Sequence, residues 1–101
     1  MTSDLFDIAG KKAVVTGGGS GIGKGIARAF AREGATLVLA SRKQAQLDSA
    51  ADELRADGAT VLVVSADVAD EAQVIALFER TISAFGRLDI LVNNSLSLIH
   101  I

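Results

Sequence analysis

The 101-residue chain has no cysteine, proline, tryptophan or tyrosine, and a single histidine. Without cysteine it has no disulfides, no thiolate metal site and no thiol nucleophile, and no metal site is expected. Nothing about the redox compartment can be read from cysteine usage. The missing proline excludes nothing by itself. No stretch approaches the roughly 18 uninterrupted apolar residues of a membrane span. Residues 1–12 carry Asp4 and Asp7 and lack the apolar core of a secretory signal. A cytoplasmic location and no membrane partner are therefore expected. The formal net charge of −2 provides no broad attraction for nucleic acid, which is not expected as a partner. What the chain does have is 50% hydrophobic residues, enough for the core of one small domain. A domain of this size hides a smaller share of its surface than a larger one, so its stability margin is thin.

Short β-branched runs alternate with longer stretches of helical period. Residues 12–16 (KAVVT) form an apolar run entering a glycine cluster and read as a buried strand. In 21–33, Ile22, Ile26 and Phe30 recur every four residues, which predicts one helical face, and Gly34 is the expected stop. Residues 36–40 (TLVLA) read as a second strand. Residues 44–57 carry Leu47, Ala51 and Leu54 on one stripe, closed by Gly58. A third strand is expected at 60–65 (TVLVVS). The stretch 70–85 places Val74, Leu77, Phe78, Thr81, Ile82 and Phe85 at helical spacing before Gly86, with Asp70 as N-cap and Gln73 at the capping-box position. Residues 88–92 (LDILV) read as a fourth strand. The order β-α-β-α-β-α-β with continuous apolar strands predicts an α/β fold, a parallel sheet flanked by helices. Right-handed crossovers make it a half Rossmann fold, truncated after the fourth strand.

Between the first strand and first helix lies Thr16-Gly17-Gly18-Gly19-Ser20-Gly21-Ile22-Gly23. A loop that binds phosphate needs backbone N–H groups aimed at an anion, no side chain in the way, and a helix N-terminus behind it. Glycines at 17, 21 and 23 supply these features. The spacing is G-x-x-x-G-x-G rather than the G-x-G-x-x-G of the common dinucleotide fingerprint. Gly18-x-x-x-x-Gly23-Lys24 approaches a P-loop, the mark of an NTPase. That motif requires Ser or Thr next, to hold magnesium, and position 25 is glycine. Lys24 then reads more simply as a solvated helix residue.

From about Leu5 to Asn94 the sequence resembles the short-chain dehydrogenase/reductases. Thr16-Gly17-x-x-x-Gly21-x-Gly23 matches that family's TGxxxGxG, Asp67-Val68 its adenine-side pair after the third strand, and Asn93-Asn94 the start of its NNAG motif. The resemblance implies that Gly17, Gly19, Ser20 and Ile22 line the diphosphate and adenosine ribose, with Gly21 and Gly23 completing the loop. It also implies that Asp67 bonds the adenine amino group beside Val68, that Asn94 contacts the ribose, and that Asn93 locks the fourth strand to its neighbours. A second reading of Asp67 is a helix cap. The implied activity is hydride transfer between a nicotinamide and a carbonyl or alcohol carbon of a small molecule. The implied assembly of the full-length protein is a homo-oligomer. The family's acid/base tyrosine has no counterpart here, since the chain contains none. No catalytic residue is assigned, and His100 is not cast as one. A nucleotide-binding module without chemistry is the alternative reading.

In a Rossmann unit an acid near the end of the second strand binds the 2′-hydroxyl of NAD and would repel a 2′-phosphate. Here that place is held by Ser41, followed by Arg42 and Lys43. A hydroxyl donor and two cations suit a phosphate, Arg42 by a forked contact. NADP is therefore the expected cofactor and NAD the alternative. Residues 96–101 (LSLIHI) depart from the family pattern, as do Ser95 and Leu96 in place of Ala and Gly. The six residues also match the translation of CTGTCTCTTATACACATCT, a transposon-end sequencing adapter. The expected division is a partial NAD(P)-binding domain over 1–95 and a non-native tail over 96–101.

Overall fold

The computed structural model describes residues 8–17, 19 and 21–94. The chain runs β1 (Lys12–Thr16), α1 (Gly21–Arg32), β2 (Thr36–Ser41), α2 (Gln44–Ala56), β3 (Val61–Ser65), α3 (Glu71–Phe85) and β4 (Ile90–Asn93). All strand pairs are parallel, in the order β3-β2-β1-β4. This is the Rossmann-type α/β arrangement expected from the alternation of strands and helices. The chain moves outward from β1 through β2 to β3, then crosses back so that β4 pairs the other side of β1. That reversal opens a crevice at the carboxyl ends of β1 and β4, where open α/β sheets bind ligands.

The centres of β1 and β2 are apolar because both sheet faces are covered there. Ala13, Val15, Leu37 and Leu39 pack toward α1 and α2 with Ala27, Leu47, Ala51 and Leu54. Val14, Val38, Ala40 and Val64 face the other way, against Leu77 of α3. Successive residues thus bury on opposite faces, as the strand period of two requires.

Two helical stripes differ from the sequence reading. In α1 the buried residues are Gly23 and Ala27, whereas Ile22 is 67% exposed. The buried seam lies one residue further on because small residues let the helix approach the sheet closely; Ile26 and Phe30 are half-buried at its margin. In α3, Leu77 and Thr81 are buried and Ile82 is 52% exposed. The apolar stripe there is wider than the surface it meets. Thr81 satisfies its buried hydroxyl by donating to the Leu77 carbonyl at 2.9 Å.

Helix ends follow local chemistry. Asp70 caps α3, accepting from the N–H groups of Ala72 and Gln73, and Gly86 ends it in a left-handed conformation with φ 83°. The capping box is displaced from its usual form. The Gln73 amide donates to Asp70 Oδ2 at 3.1 Å, but its oxygen accepts from the Asp67 N–H at 2.8 Å instead of from the cap's own N–H. β4 begins two residues later than the apolar pattern suggests. Asp89 is engaged before it: its N–H donates to the Lys12 carbonyl and its carboxylate accepts from the Lys12 N–H at 2.8 Å.

Two exposed carboxylates tie elements together. Glu53 on α2 accepts from Lys24 at 2.6 Å and pairs with Arg28 at 3.2 Å, both on α1. The Lys24 hydrogen bond, the largest influence, holds the Glu53 carboxyl below its ordinary value of 4.5. For Asp89, the Lys12 N–H comes first and Arg87 adds to it, holding the carboxyl below 3.8. Both groups are charged more readily in the folded chain than in the unfolded one. Their contribution is therefore full above the unfolded value and is lost as pH falls through the folded one. The urea midpoint advantage of the wild type over Glu53→Gln and over Asp89→Asn should accordingly shrink from neutral pH to about pH 3. An advantage that stays constant over that range contradicts the assignment.

β4 is an edge strand whose Leu91 is 48% exposed and lines a cleft with Val74 and Phe78; Ile75 (51%) and Ile82 (52%) of α3 are also exposed. An uncovered edge beside apolar surface promotes pairing between copies. Sedimentation of the 101-residue chain is expected to show concentration-dependent association, weakened by Leu91→Lys. A concentration-independent monomer would count against this.

Candidate functional site

The carboxyl edge of the sheet gathers the loop after β1, the corner after β2, the turn after β3 and the end of β4. Gly17 takes φ 68° and Gly21 φ 54°, in the left-handed region where glycine carries no steric penalty. The Gly17 N–H donates to the Ala40 carbonyl at 2.7 Å, which fastens the loop's start to β2. A Cβ on Gly23 would collide with the Gly17 carbonyl and stand 3.0 Å from Asn94 Nδ2. Gly17, Gly23 and Asn94 therefore meet at one point, where α1 begins. The first turn of α1 holds no acidic residue, so its positive dipole end is not neutralised by a neighbouring carboxylate.

The sequence-predicted residues are disposed as follows. Ile22 lies exposed on the first turn of α1. Gly19 lies against the start of α2: a Cβ there would come within 3.1 Å of Gln46 C, Gln46 Cβ and Leu47 N. Ser41 ends β2, its Oγ accepting from the Lys43 N–H at 2.9 Å, so the hydroxyl hydrogen can still be donated elsewhere. Arg42 and Lys43 are exposed. Among the described residues their side chains make no hydrogen bond or ion pair. Asp67 shapes the turn after β3, its Oδ1 accepting from the Ala69 N–H at 2.9 Å. The cap of α3 is Asp70, not Asp67. Asn93 pairs with Thr16 across β1 and β4, and the Thr16 hydroxyl has Asn93 Oδ1 at 3.0 Å and the Val92 carbonyl at 3.3 Å as acceptors. Val68 and Asn93 also line a cleft of about 120 Å³ with Thr16, Val74, Leu77, Phe78 and Leu91. Ser20 and residues 95–101, with the tail boundary assigned to them, lie outside the described residues.

The geometry separates two uses of a glycine-rich loop. In a P-loop the lysine reaches back over the phosphates. Here Lys24 is bound to Glu53 of α2 instead. It is not the freely solvated residue that the sequence suggested, and its ammonium is turned toward α2. Among the described residues there is no group of three or more His, Asp or Glu able to hold a metal ion, and no helix is long and apolar enough to cross a membrane. Sequence reading missed the Ala40 carbonyl as the loop's anchor and the first turn of α2 as its floor. Both contacts involve backbone, which no residue-type pattern reports.

The sequence model of one family, described as short chain dehydrogenase, matches residues 11–96. An uncharacterized oxidoreductase of Mycobacterium tuberculosis is 45% identical over 94 residues, covering 93% of this chain and 36% of that protein. A short-chain dehydrogenase/reductase from Burkholderia phymatum, solved in complex with NAD, is 44% identical with a TM-score of 0.83, covering 85% of this chain and 31% of that one. L-Sorbose reductase from Gluconobacter frateurii, complexed with NADPH and L-sorbose, is 50% identical with a TM-score of 0.83, covering 86% and 34% respectively. The chain thus spans about a third of the length of the curated relatives it matches, 36% and 33% for the first two.

The closeness of Gly23 to Gly17 is directly testable. Gly23→Ala should cost about 1–3 kcal/mol, the range for overpacking, and lower Tm by roughly 4–8 °C per kcal/mol for a domain of this size. Gly25, two residues along the same helix, has nothing within 4 Å of an added Cβ. Gly25→Ala should leave Tm unchanged or raise it. Equal melting of the two variants would remove the close approach from the argument.

Proposed function

Because the chain belongs to the short-chain dehydrogenase family, we propose that it is the cofactor-binding half of an NADP(H)-dependent oxidoreductase. The longer protein would move a hydride between the nicotinamide and a carbonyl or alcohol carbon of a small molecule. Residues 1–95 form the partial NAD(P)-binding domain in this reading, and 96–101 stand outside it. A cytoplasmic, homo-oligomeric protein is the accompanying expectation.

The residues fit a dinucleotide. The cradle that a Cβ on Gly23 would fill, the left-handed glycines at 17 and 21 and the acid-free first turn of α1 suit a diphosphate. Gly19 and Ile22 extend that wall; the family resemblance assigns Ser20 to the same diphosphate contact. Asp67 and Val68 flank the adenine side, and Asn94 the ribose, with Asn93 holding β4 to β1. The cofactor supplies the hydride chemistry when bound; these residues bind and orient it. With no tyrosine in the chain, the family's acid/base group is not among them, and the chain alone is assigned no turnover.

The observation that carries the cofactor choice is the corner after β2. Ser41 stands where NAD-specific Rossmann units place a carboxylate, and the Arg42 and Lys43 side chains have no partner among the described residues. Relatives solved with NAD and with NADPH both resemble the chain, so the preference is argued from this corner alone. A charge-assisted contact to the 2′-phosphate is worth about 1.5–3 kcal/mol, which corresponds to a preference of roughly ten- to a hundredfold.

Calorimetric Kd values for NADP+ and NAD+ should show that preference. Ser41→Asp with Arg42→Ala should reverse it, by adding repulsion as well as removing attraction. Equal affinities in the wild type, or an unchanged ratio in the double variant, would sink the NADP assignment and leave Arg42 a solvated loop residue.

A further inference from the structure

The phosphate loop is joined to the β2–α2 corner at two points. At its start the Gly17 N–H donates to Ala40 of β2 at 2.7 Å. At its middle Gly19 lies over the first turn of α2, where an added Cβ would find Gln46 C, Gln46 Cβ and Leu47 N each at 3.1 Å. Two of those three atoms are backbone. The turn they belong to is fixed: the Leu47 side chain is 0% exposed in the core, and its N–H donates to the Lys43 carbonyl at 3.1 Å. The same turn follows directly on Ser41-Arg42-Lys43, which is held by the Lys43 N–H donating to Ser41 Oγ.

We propose that Gly19 is a positioning residue that sets the spacing between the phosphate loop and the 2′-phosphate corner. This rests on the dinucleotide reading above and gives Gly19 a role beyond lining the diphosphate. An added Cβ there would be a few tenths of an ångström too close to α2, on the side where the contacts lie. Because the helix turn is anchored, the few tenths of an ångström that a Cβ at 19 needs are taken up by the loop, which moves away from the corner. A ligand that must touch both loop and corner then loses affinity, and a ligand that touches only the corner does not.

The test uses the 101-residue chain and binding alone. Gly19→Ala should weaken NADP+ and NAD+ together, by about tenfold or more, which is 1.4 kcal/mol. Binding of adenosine 2′-monophosphate, followed by NMR titration, should fall far less, because that probe has no diphosphate and meets the loop only at its ribose. Gln46→Gly removes the side-chain atom among the three contacts. Placed in the Gly19→Ala background, it should restore part of the NADP+ affinity. Unchanged NADP+ binding in Gly19→Ala overturns the proposal. So does an equal loss of adenosine 2′-monophosphate by a folded Gly19→Ala chain, which would mean that α2 had moved. If Gly19→Ala does not fold, the double variant decides: refolding with partial affinity supports the spacing role, and failure to refold overturns it. A wild type that binds neither NADP+ nor NAD+ is a different failure, since it removes the dinucleotide reading and this inference with it.

Discussion

An added Cβ at position 23 would overlap the carbonyl of Gly17, so the first turn of α1 lies closer to the end of β1 than any side chain permits. Much of the site depends on this approach. It directs the N-terminal end of α1 at the space above β1, and it brings Asn94 at the end of β4 to the same point. It also explains the buried seam of α1. A helix this near the sheet can bury only small residues along its contact line, which are Gly23 and Ala27. The larger Ile22, one position earlier, is left at the exposed rim of the crevice.

Charge at the crevice is arranged by omission as much as by placement. The first turns of α1 and α2 contain no acidic residue, and β2 ends in Ser41 rather than in an acid. The acids that do lie near are committed to structure. Asp67 holds its own turn and Asp70 caps α3. Glu53 draws Lys24 and Arg28 toward α2 and away from the loop. Among the described residues, Arg42 and Lys43 of the β2–α2 corner, one strand away from the glycine loop, have no hydrogen-bond or ion-pair partner.

The fold was legible in the sequence because its signals are local. Apolar runs of four to six residues, helical stripes and glycines just past each helix needed no long-range information, and the parallel, Rossmann-type arrangement followed from connection rules. The glycine loop was legible because left-handed conformations and close approach select glycine in a recognisable spacing. The errors came where a pattern does not say what it packs against. Ile22 and Ile82 lie on apolar stripes, yet the surfaces opposite them do not reach that far. Leu88 and Asp89 continue an apolar run, but Asp89 is drawn off by the Lys12 backbone before β4 begins. Lys24 looked solvated because its partner is 29 residues away.

The contacts between loop and α2 show why position 19 is hard to interpret from sequence alone. Glycine at 17, 21 or 23 has a reason contained in the loop and its helix. Glycine at 19 is neither in the left-handed region nor packed on its own helix; its neighbour lies 27 positions on, at the backbone of Gln46 and Leu47. The Lys24–Glu53 pair joins the same two units from the other side. Loop, α1 and α2 are thereby fixed to one another by backbone contact, hydrogen bond and ion pair. The glycine loop and the Ser41–Lys43 corner are thus joined through the same two helices and β2.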